Sequence, residues 1–200
     1  MRIMDPRPFC RIVFCSIALM TACTRQSPMP VVVMETEAGT IQVELYPDAA
    51  PVTVANFLMY VDKGAYDNGS FYRNVRLEDQ PNPIKIEVIQ GGLDGVLNVD
   101  TLPAIPHEST DKTGILHKDG VISMARYGPG TATSEFFICL GDQPALDAGG
   151  KRNPDGYGFA AFGEVTEGMD VVRKIHQGKV SGDFQLLDTP VRILKMYRKP

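Results

Sequence analysis

Short runs in which apolar and polar residues alternate recur along the chain, separated by Gly, Pro and Asn. The clearest run is TIQVELY, in which Ile41, Val43 and Leu45 share one face and Gln42 and Glu44 share the other. A period of two is typical of a strand with one buried face. Together with the preceding VVVMETEAG, this run predicts a β-hairpin that turns at Glu-Ala-Gly.

Six further strand-like segments follow, at residues 70–75, 85–90, 120–126, 135–140, 159–165 and 191–197. Two segments instead have the period of an amphipathic helix, one between Pro51 and Gly64 and one at residues 167–177. Short strands with one helix near each end predict a mainly β fold, a closed antiparallel barrel. The helices would plug its two open ends, and closure would remove the exposed strand edges.

Composition and motif spacing exclude several classes of function. The chain has 20 basic and 24 acidic residues and no basic cluster beyond its extreme N-terminus, which argues against nucleic acid as a partner. Its three histidines lack metal-ligand spacing, so we expect neither a metal site nor a cofactor. His107 and His117 lie in loop-like segments and should be solvated, whereas Cys139 in FFICL should be a buried, inert thiol.

The N-terminus has the pattern of an export signal. Arg2, Arg7 and Arg11 precede an apolar stretch at residues 12–22, which is shorter than the roughly 20 residues that span a bilayer. Residues 1–22 are therefore predicted to be a signal peptide.

The residues around the end of this segment resemble the lipobox of bacterial lipoproteins, with Met20 where leucine is usual and Cys23 as the lipidated residue. We expect an exported protein in the periplasm, anchored to the outer membrane by acylated Cys23, with residues 23–30 as a tether. The alternative is an ordinary signal peptide that leaves a soluble periplasmic protein.

Five motifs in register carry a resemblance to a known family: FYR (71–73), VIQGG (88–92), GVISMAR (120–126), ATSEFF (132–137) and FGEVTEGMDVV (162–172). In this order they resemble the cyclophilin-type peptidyl-prolyl cis-trans isomerases, particularly the bacterial envelope members. The resemblance covers nearly all of residues 31–197, and we expect the isomerase domain at residues 31–198. It implies an eight-stranded antiparallel barrel capped by two α-helices, whose outer groove holds X-Pro segments and accelerates their cis-trans rotation without a cofactor.

The resemblance also implies site residues. Arg73 matches the catalytic arginine, whose guanidinium hydrogen-bonds the substrate carbonyl and the prolyl nitrogen. Gln90 matches the glutamine that binds the substrate backbone and holds the arginine. By position, the proline-ring pocket would be formed by Phe71, Val88, Phe137 and Leu146, and the neighbouring subsites by Ala125, Arg126 and Glu135. Phe159 falls where the family often has histidine or tyrosine.

The sequence departs from the family pattern at several of these positions. Tyr72 replaces the histidine of FHR, and Glu135 replaces a glutamine and could pair with Arg73. Glu87 replaces an aromatic that packs on the proline, so a smaller pocket is expected. The segment between Arg73 and Gln90 is also longer than usual.

We therefore expect a peptidyl-prolyl isomerase that acts on proline-containing segments of folding or exported envelope proteins. The alternative is a chaperone or scaffold module that binds such segments with vestigial catalysis, which Glu87 and the long insertion favour. Cyclosporin binding should be weak, because Ala145 stands where many members have the tryptophan that contacts the drug.

Overall fold

The computed structural model describes residues 29–78, 80–93, 102–182 and 184–200. The predicted signal peptide, Cys23 and most of the tether lie outside these residues. The strands are β1 (Val31–Thr36), β2 (Gly39–Leu45), β3 (Ser70–Val75), β4 (Val88–Gly92), β5 (Val121–Met124), β6 (Phe136–Cys139), β7 (Ala160–Glu167), β8 (Val180–Ser181) and β9 (Leu186–Arg198). The helices are α1 (Pro51–Asp62), α2 (Thr110–Thr113) and α3 (Met169–His176).

The sheet closes into a barrel. Its strands follow the order β1-β2-β7-β5-β6-β4-β3-β9-β8, and an additional pairing of β1 with β9 completes a ring of eight strands. The nine pairings between the strands described are antiparallel. The predicted eight-stranded antiparallel barrel is confirmed, and β8 is a two-residue addition on the outer side of β9.

The first hairpin forms as the alternation predicts. Thr36 pairs with Gly39 across the turn, and Ile41, Val43 and Leu45 are fully buried. The Thr36 hydroxyl closes the turn by donating to the Gly39 carbonyl at 2.7 Å. Each apolar side chain of β2 therefore points into the barrel, where it leaves water on folding.

The two longer helices lie at opposite ends of β2. Val171 of α3 packs against Gly39 at the start of this strand, whereas α1 follows its end. Phe57 of α1 fills the barrel interior against Tyr66, Phe136 and Phe162, with ring centroids 5.1–5.6 Å apart. The buried side chains of α3 join the same core. Among the described residues, no helix combines the length and apolar content needed to cross a membrane.

Candidate active site

A β-bulge in β3 determines which side chains of this strand face outward. Phe71 pairs with Gly91 of β4, but the next pair is Arg73 with Gln90, so Tyr72 is the extra residue. A bulge reverses the alternation locally and can direct two successive side chains to one face. Tyr72 and Arg73 consequently both line a cavity on the outside of the barrel.

Phe71 does not reach this cavity, and its expected place in the proline-ring pocket is wrong. Its side chain is fully buried inside the barrel, with its ring 5.7 Å from that of Phe136 in an edge-on arrangement. It lies on the interior side of the bulge, and Gly91 opposite leaves room for the ring. Phe71 therefore supports the barrel core.

The outer cavity has a volume of about 690 Å³ and collects the other predicted site residues of the described chain. These residues are Arg73, Val88, Gln90, Ala125, Arg126, Glu135, Phe137, Leu146 and Phe159. Three of them are direct neighbours across adjacent strands, because Gln90 pairs with Arg73 on one side and with Phe137 on the other. The strand pairing therefore fixes the distance between the polar side chains of Arg73 and Gln90 and the apolar side chain of Phe137.

The apolar half of the cavity is lined by five members of a small buried cluster, Val75, Ile86, Val88, Phe137 and Leu146, and Cys139 lies behind them in the same cluster. Phe159 packs edge-on against Phe137 with ring centroids 5.2 Å apart and forms a side wall. Glu87 is not among the lining residues, whereas Ile86 beside it is, and the loss of apolar area expected from Glu87 stays a prediction. The pocket keeps an apolar side chain at that point.

The polar half is organised around the Arg73 guanidinium. Nη1 donates to the side-chain amide oxygen (Oε1) of Gln90 at 2.9 Å, and Nε donates to the main-chain carbonyl of Phe184 at 2.8 Å. Burial lowers the pKa of Arg73 from its ordinary value, and Tyr72 offsets part of the decrease. The group stays charged, because arginine does not lose its proton in proteins. In the described part of the chain, its hydrogen bonds leave Nη2 available for a ligand.

Gln90 continues a chain of hydrogen bonds away from Arg73. Its amide nitrogen donates to the Tyr72 hydroxyl at 2.7 Å, and that hydroxyl donates to Oε2 of Glu135 at 2.7 Å. Glu135 also accepts from the Leu93 backbone N–H at 2.7 Å. Among the described residues, hydrogen bonds through Tyr72 and Gln90 link the carboxylate to Arg73.

Comparison with known proteins agrees with this geometry. Residues 31–198 match the family model described as cyclophilin type peptidyl-prolyl cis-trans isomerase/CLD. The chain belongs to the cyclophilin-type peptidyl-prolyl cis-trans isomerases. It is 37% identical over 167 residues to the isomerase cyp18 of Streptomyces antibioticus, covering 82% of this chain and 93% of the relative.

Two more relatives are similar to this isomerase. Isomerase B of Escherichia coli K12 is 36% identical over 147 residues, which cover 72% of this chain and 82% of that protein. The crystal structure of a cyclophilin type isomerase from Cryptosporidium parvum superposes with a TM-score of 0.69 at 21% identity. That superposition covers 86% of this chain and 98% of the other and supports the fold assignment.

Arg126 of the isomerase lines the cavity, but its guanidinium donates hydrogen bonds to acceptors within the protein. Nη1 donates to the Asp155 carboxylate at 2.8 Å, and Nε donates to the Gly158 carbonyl at 2.8 Å. The guanidinium lies over the Phe159 ring, 5.1 Å from its centroid. Its side chain is 1% exposed. Arg126 therefore holds the aromatic side wall in place through a cation–π contact.

A buried histidine supports the floor of the isomerase site, which the sequence did not predict. His117 is 1% exposed and stacks on Phe137 with ring centroids 6.0 Å apart. Its Nδ1 donates to Asp147 at 2.7 Å, and its Nε2 bonds the Ser123 hydroxyl at 3.0 Å. Ser123 is fully buried, so a substrate cannot reach its hydroxyl. The three residues brace Phe137 from behind, and the prediction of a solvated His117 is wrong.

The long insertion of the isomerase is folded around Gln80. The side-chain NH₂ of Gln80 donates to the main-chain carbonyls of Arg76 and Ile86, both at 2.7 Å. The side-chain oxygen of Gln80 accepts from the Arg152 guanidinium at 2.7 Å. These bonds fix Ile86 against the pocket. The insertion, Arg152 and the exposed Phe184 on the opposite rim line the cavity, although no motif identified their role in the sequence.

The surroundings of Cys139 bear on the prediction that its thiol is inert. Cys139 is buried, and burial raises its thiol pKa well above the ordinary value, which agrees with the predicted inert thiol. Within the described ranges, no group of three or more His, Cys, Asp or Glu side chains is placed to hold a metal ion.

Proposed function

We propose that this isomerase accelerates X-Pro rotation by electrostatic stabilisation of the twisted imide, with Arg73 as the donor. One observation carries the proposal: the Arg73 guanidinium is held by two acceptors at the edge of an apolar pocket lined by Phe137 and Leu146. A charged, fixed donor beside a hollow of this kind suits a proline ring with an amide at its margin.

The physical obstacle to the reaction is amide resonance. Rotation about the bond faces a barrier of roughly 18–20 kcal/mol, because the C–N bond loses its double-bond character midway. In the twisted state the nitrogen lone pair is localised and accepts a hydrogen bond, whereas in either planar state it is delocalised. A donor at Nη2 of Arg73 would therefore bind the twisted state more strongly than the ground states, which is the condition for catalysis.

The apolar half of the cavity would hold the ring while the preceding carbonyl turns. We propose proline-containing segments as substrates, with the ring against Phe137 and the flanking backbone near Gln90. A second crystal structure of the Cryptosporidium parvum protein was determined in the presence of the dipeptide Ala-Pro, which supports this substrate class. Ala145 packs beside the pocket cluster, and its small side chain underlies the expected weak cyclosporin binding.

We further propose that the protein is exported and acts on folding envelope proteins in the periplasm, anchored to the outer membrane through lipidated Cys23 and the tether at 23–30. The support is the sequence pattern of residues 1–23. Expression of the full chain in a bacterium, followed by mass spectrometry of the mature N-terminus, tests this proposal. A diacyl or triacyl mass on Cys23 supports anchoring, and an unmodified cleaved terminus supports the soluble alternative.

The enzymatic proposal is tested by exchange NMR on a short Xaa-Pro peptide with the full chain present at about one-hundredth of the peptide concentration. Uncatalysed exchange takes tens to hundreds of seconds, so its cis-trans cross-peaks are absent at mixing times below a second. Cross-peaks that appear with the protein show catalysis. Peptide shifts on titration without cross-peaks would instead support the binding-module alternative.

A further inference from the structure

We infer that Tyr72 and Glu135 are positioning residues for the isomerisation, because they set the orientation of the Gln90 amide and, through it, that of the Arg73 guanidinium. The inference rests on the proposed catalytic role of Arg73. It assigns a function to two side chains at which this chain departs from the family pattern.

The direction of each hydrogen bond in the chain follows from the donor inventory of the four groups. The guanidinium of Arg73 can only donate, so the Gln90 oxygen must face it and the Gln90 NH₂ must point away. That NH₂ donates to the Tyr72 oxygen, whose own proton then needs an acceptor. A carboxylate can only accept, and Glu135 supplies it. The hydrogen bonds from Arg73 to Gln90, from Gln90 to Tyr72 and from Tyr72 to Glu135 therefore all run in one direction.

A flipped Gln90 amide would place its NH₂ against the guanidinium, where two donors would face each other in a half-buried site. The flip would also remove the hydrogen bond that the Tyr72 oxygen accepts from Gln90. An unsatisfied donor or acceptor in a site sheltered from water is unfavourable, so the carboxylate at the far end biases the amide towards one orientation. This orientation holds Arg73 in place.

The Glu135 carboxylate is itself fixed by groups outside the chain of hydrogen bonds. It accepts from the Leu93 backbone N–H at 2.7 Å and from the Ser134 hydroxyl at 3.2 Å. It also lies directly against the Cα of Gly92, where any Cβ would overlap it, and Gly92 has a φ of +154°. The backbone that carries Glu135 is anchored by α1, because Asn56 donates to the Thr133 carbonyl at 2.6 Å.

The two departures from the family are matched to each other. In the family pattern the positions of Tyr72 and Glu135 hold histidine and glutamine, and here both residues differ and bond one another. A tyrosine hydroxyl that accepts from Gln90 needs a partner that accepts, and a carboxylate meets this need without a competing donor. The pair is therefore expected to function as a unit.

Kinetics of the full chain on an Xaa-Pro peptide test this inference. Tyr72→Phe should lower kcat/KM about tenfold, mainly through kcat, because Gln90 loses its acceptor while the apolar pocket is intact. Glu135→Gln should lower kcat/KM less than Tyr72→Phe does. The double variant Tyr72→Phe with Glu135→Gln should be no less active than Tyr72→Phe alone, since the two residues lie in one network. The family pair, Tyr72→His with Glu135→Gln, should recover most of the activity.

Tyr197→Phe is the matched control, because it removes a tyrosine–glutamate hydrogen bond of 3.0 Å to Glu35 at a site outside the cavity. It should keep the wild-type kcat and KM. Activity in Tyr72→Phe equal to that of this control, or additive effects in the double variant, would overturn the inference.

A second readout does not depend on catalysis. The side-chain NH₂ signals of Gln90 in a ¹⁵N–¹H spectrum should shift and broaden in Tyr72→Phe and stay unchanged in Tyr197→Phe. Unchanged Gln90 signals in Tyr72→Phe would refute the positioning role even if the wild type proved inactive. An inactive wild type with displaced Gln90 signals would instead refute the proposed function and leave the positioning of Gln90 supported.

Discussion

Phe137 is held between an aromatic neighbour on the surface and a polar group behind it. Phe159 packs on one side, and His117 stacks on the other while it bonds Asp147 and Ser123. Burial would raise the pKa of Asp147, but the hydrogen bonds from His117 outweigh burial, and the pKa lies below its ordinary value. The floor of the pocket therefore depends on a buried polar network.

Replacement of His117 tests this dependence. His117→Leu keeps an apolar side chain behind Phe137 but leaves the Ser123 hydroxyl without this partner. The Asp147 carboxylate loses the imidazole and keeps the bond from the backbone N–H of residue 117. We expect a loss of about 2–4 kcal/mol in the free energy of unfolding and a KM several-fold higher, because Phe137 loses its support. Urea unfolding and peptide kinetics measure both effects. His107→Leu is the comparison variant and should alter both quantities much less, because His107 is only half-buried, although its ring nitrogen bonds the Tyr157 carbonyl at 3.1 Å. Equal stability of the two variants would contradict the account.

At single residues, the success of sequence reasoning depended on whether the backbone was regular. Val88 and Gln90 were placed by alternation and by motif together, and both line the cavity. The position of Phe71 in the FYR motif suggests the pocket, but its side chain lies inside the barrel next to the bulge at Tyr72, and a bulge leaves little trace in a single sequence. His117 was misjudged because its partners, Ser123 and Asp147, come together only through tertiary folding.

Among the elements, the insertion between Arg73 and Gln90 is the part whose order is least evident from the sequence. Its Pro and Asn residues indicated a loop, but its compact shape depends on the contacts of Gln80 with Arg76, Ile86 and Arg152. Gln80 is 6% exposed, so these hydrogen bonds are sheltered from water. The strands and the two longer helices, by contrast, were predictable because their periodicity reports directly on burial.

Loosening the insertion should weaken substrate binding more than turnover. In Gln80→Ala, the backbone groups that Gln80 satisfies lose their partner, and Ile86 is no longer fixed against the pocket. We expect KM to rise about three- to tenfold with kcat within twofold, and amide exchange to accelerate at residues 76–87. Hydrogen-exchange mass spectrometry localises the effect. Gln42→Ala on the exposed face of β2 is the control, and unchanged protection at residues 76–87 would contradict the assigned role.

For the whole molecule, three ion pairs are expected to contribute to the dependence of stability on pH. Hydrogen bonds from Arg198, Lys118 and Arg126 lower the pKa values of Asp62, Asp142 and Asp155, respectively. A carboxylate with a depressed pKa in the folded state stabilises that state above its unfolded pKa of about 3.9, and the contribution is lost as the pH falls through the folded value. Each of the three ion pairs therefore stabilises the folded protein more at neutral pH than at acidic pH.

We accordingly expect the free energy of unfolding to decrease as the pH falls below about 4, as these carboxylates become protonated. Urea titrations at neutral and acidic pH measure the change. A variant with Asp62, Asp142 and Asp155 replaced by Asn should lose less stability over the same interval than the wild type. Equal losses in the two proteins would show that these three pairs do not cause the acid sensitivity.

The catalytic proposal depends on the Arg73 guanidinium beside the apolar pocket. The isomerisation rate of Arg73 variants tests it most directly. Arg73→Ala removes the donor and should lower kcat/KM by about 10²–10³, equivalent to roughly 3–4 kcal/mol of barrier. Arg73→Lys keeps the charge without the planar fork and should recover only part of the rate. Peptide affinity should change much less than the rate. Wild-type isomerisation by Arg73→Ala would contradict the account.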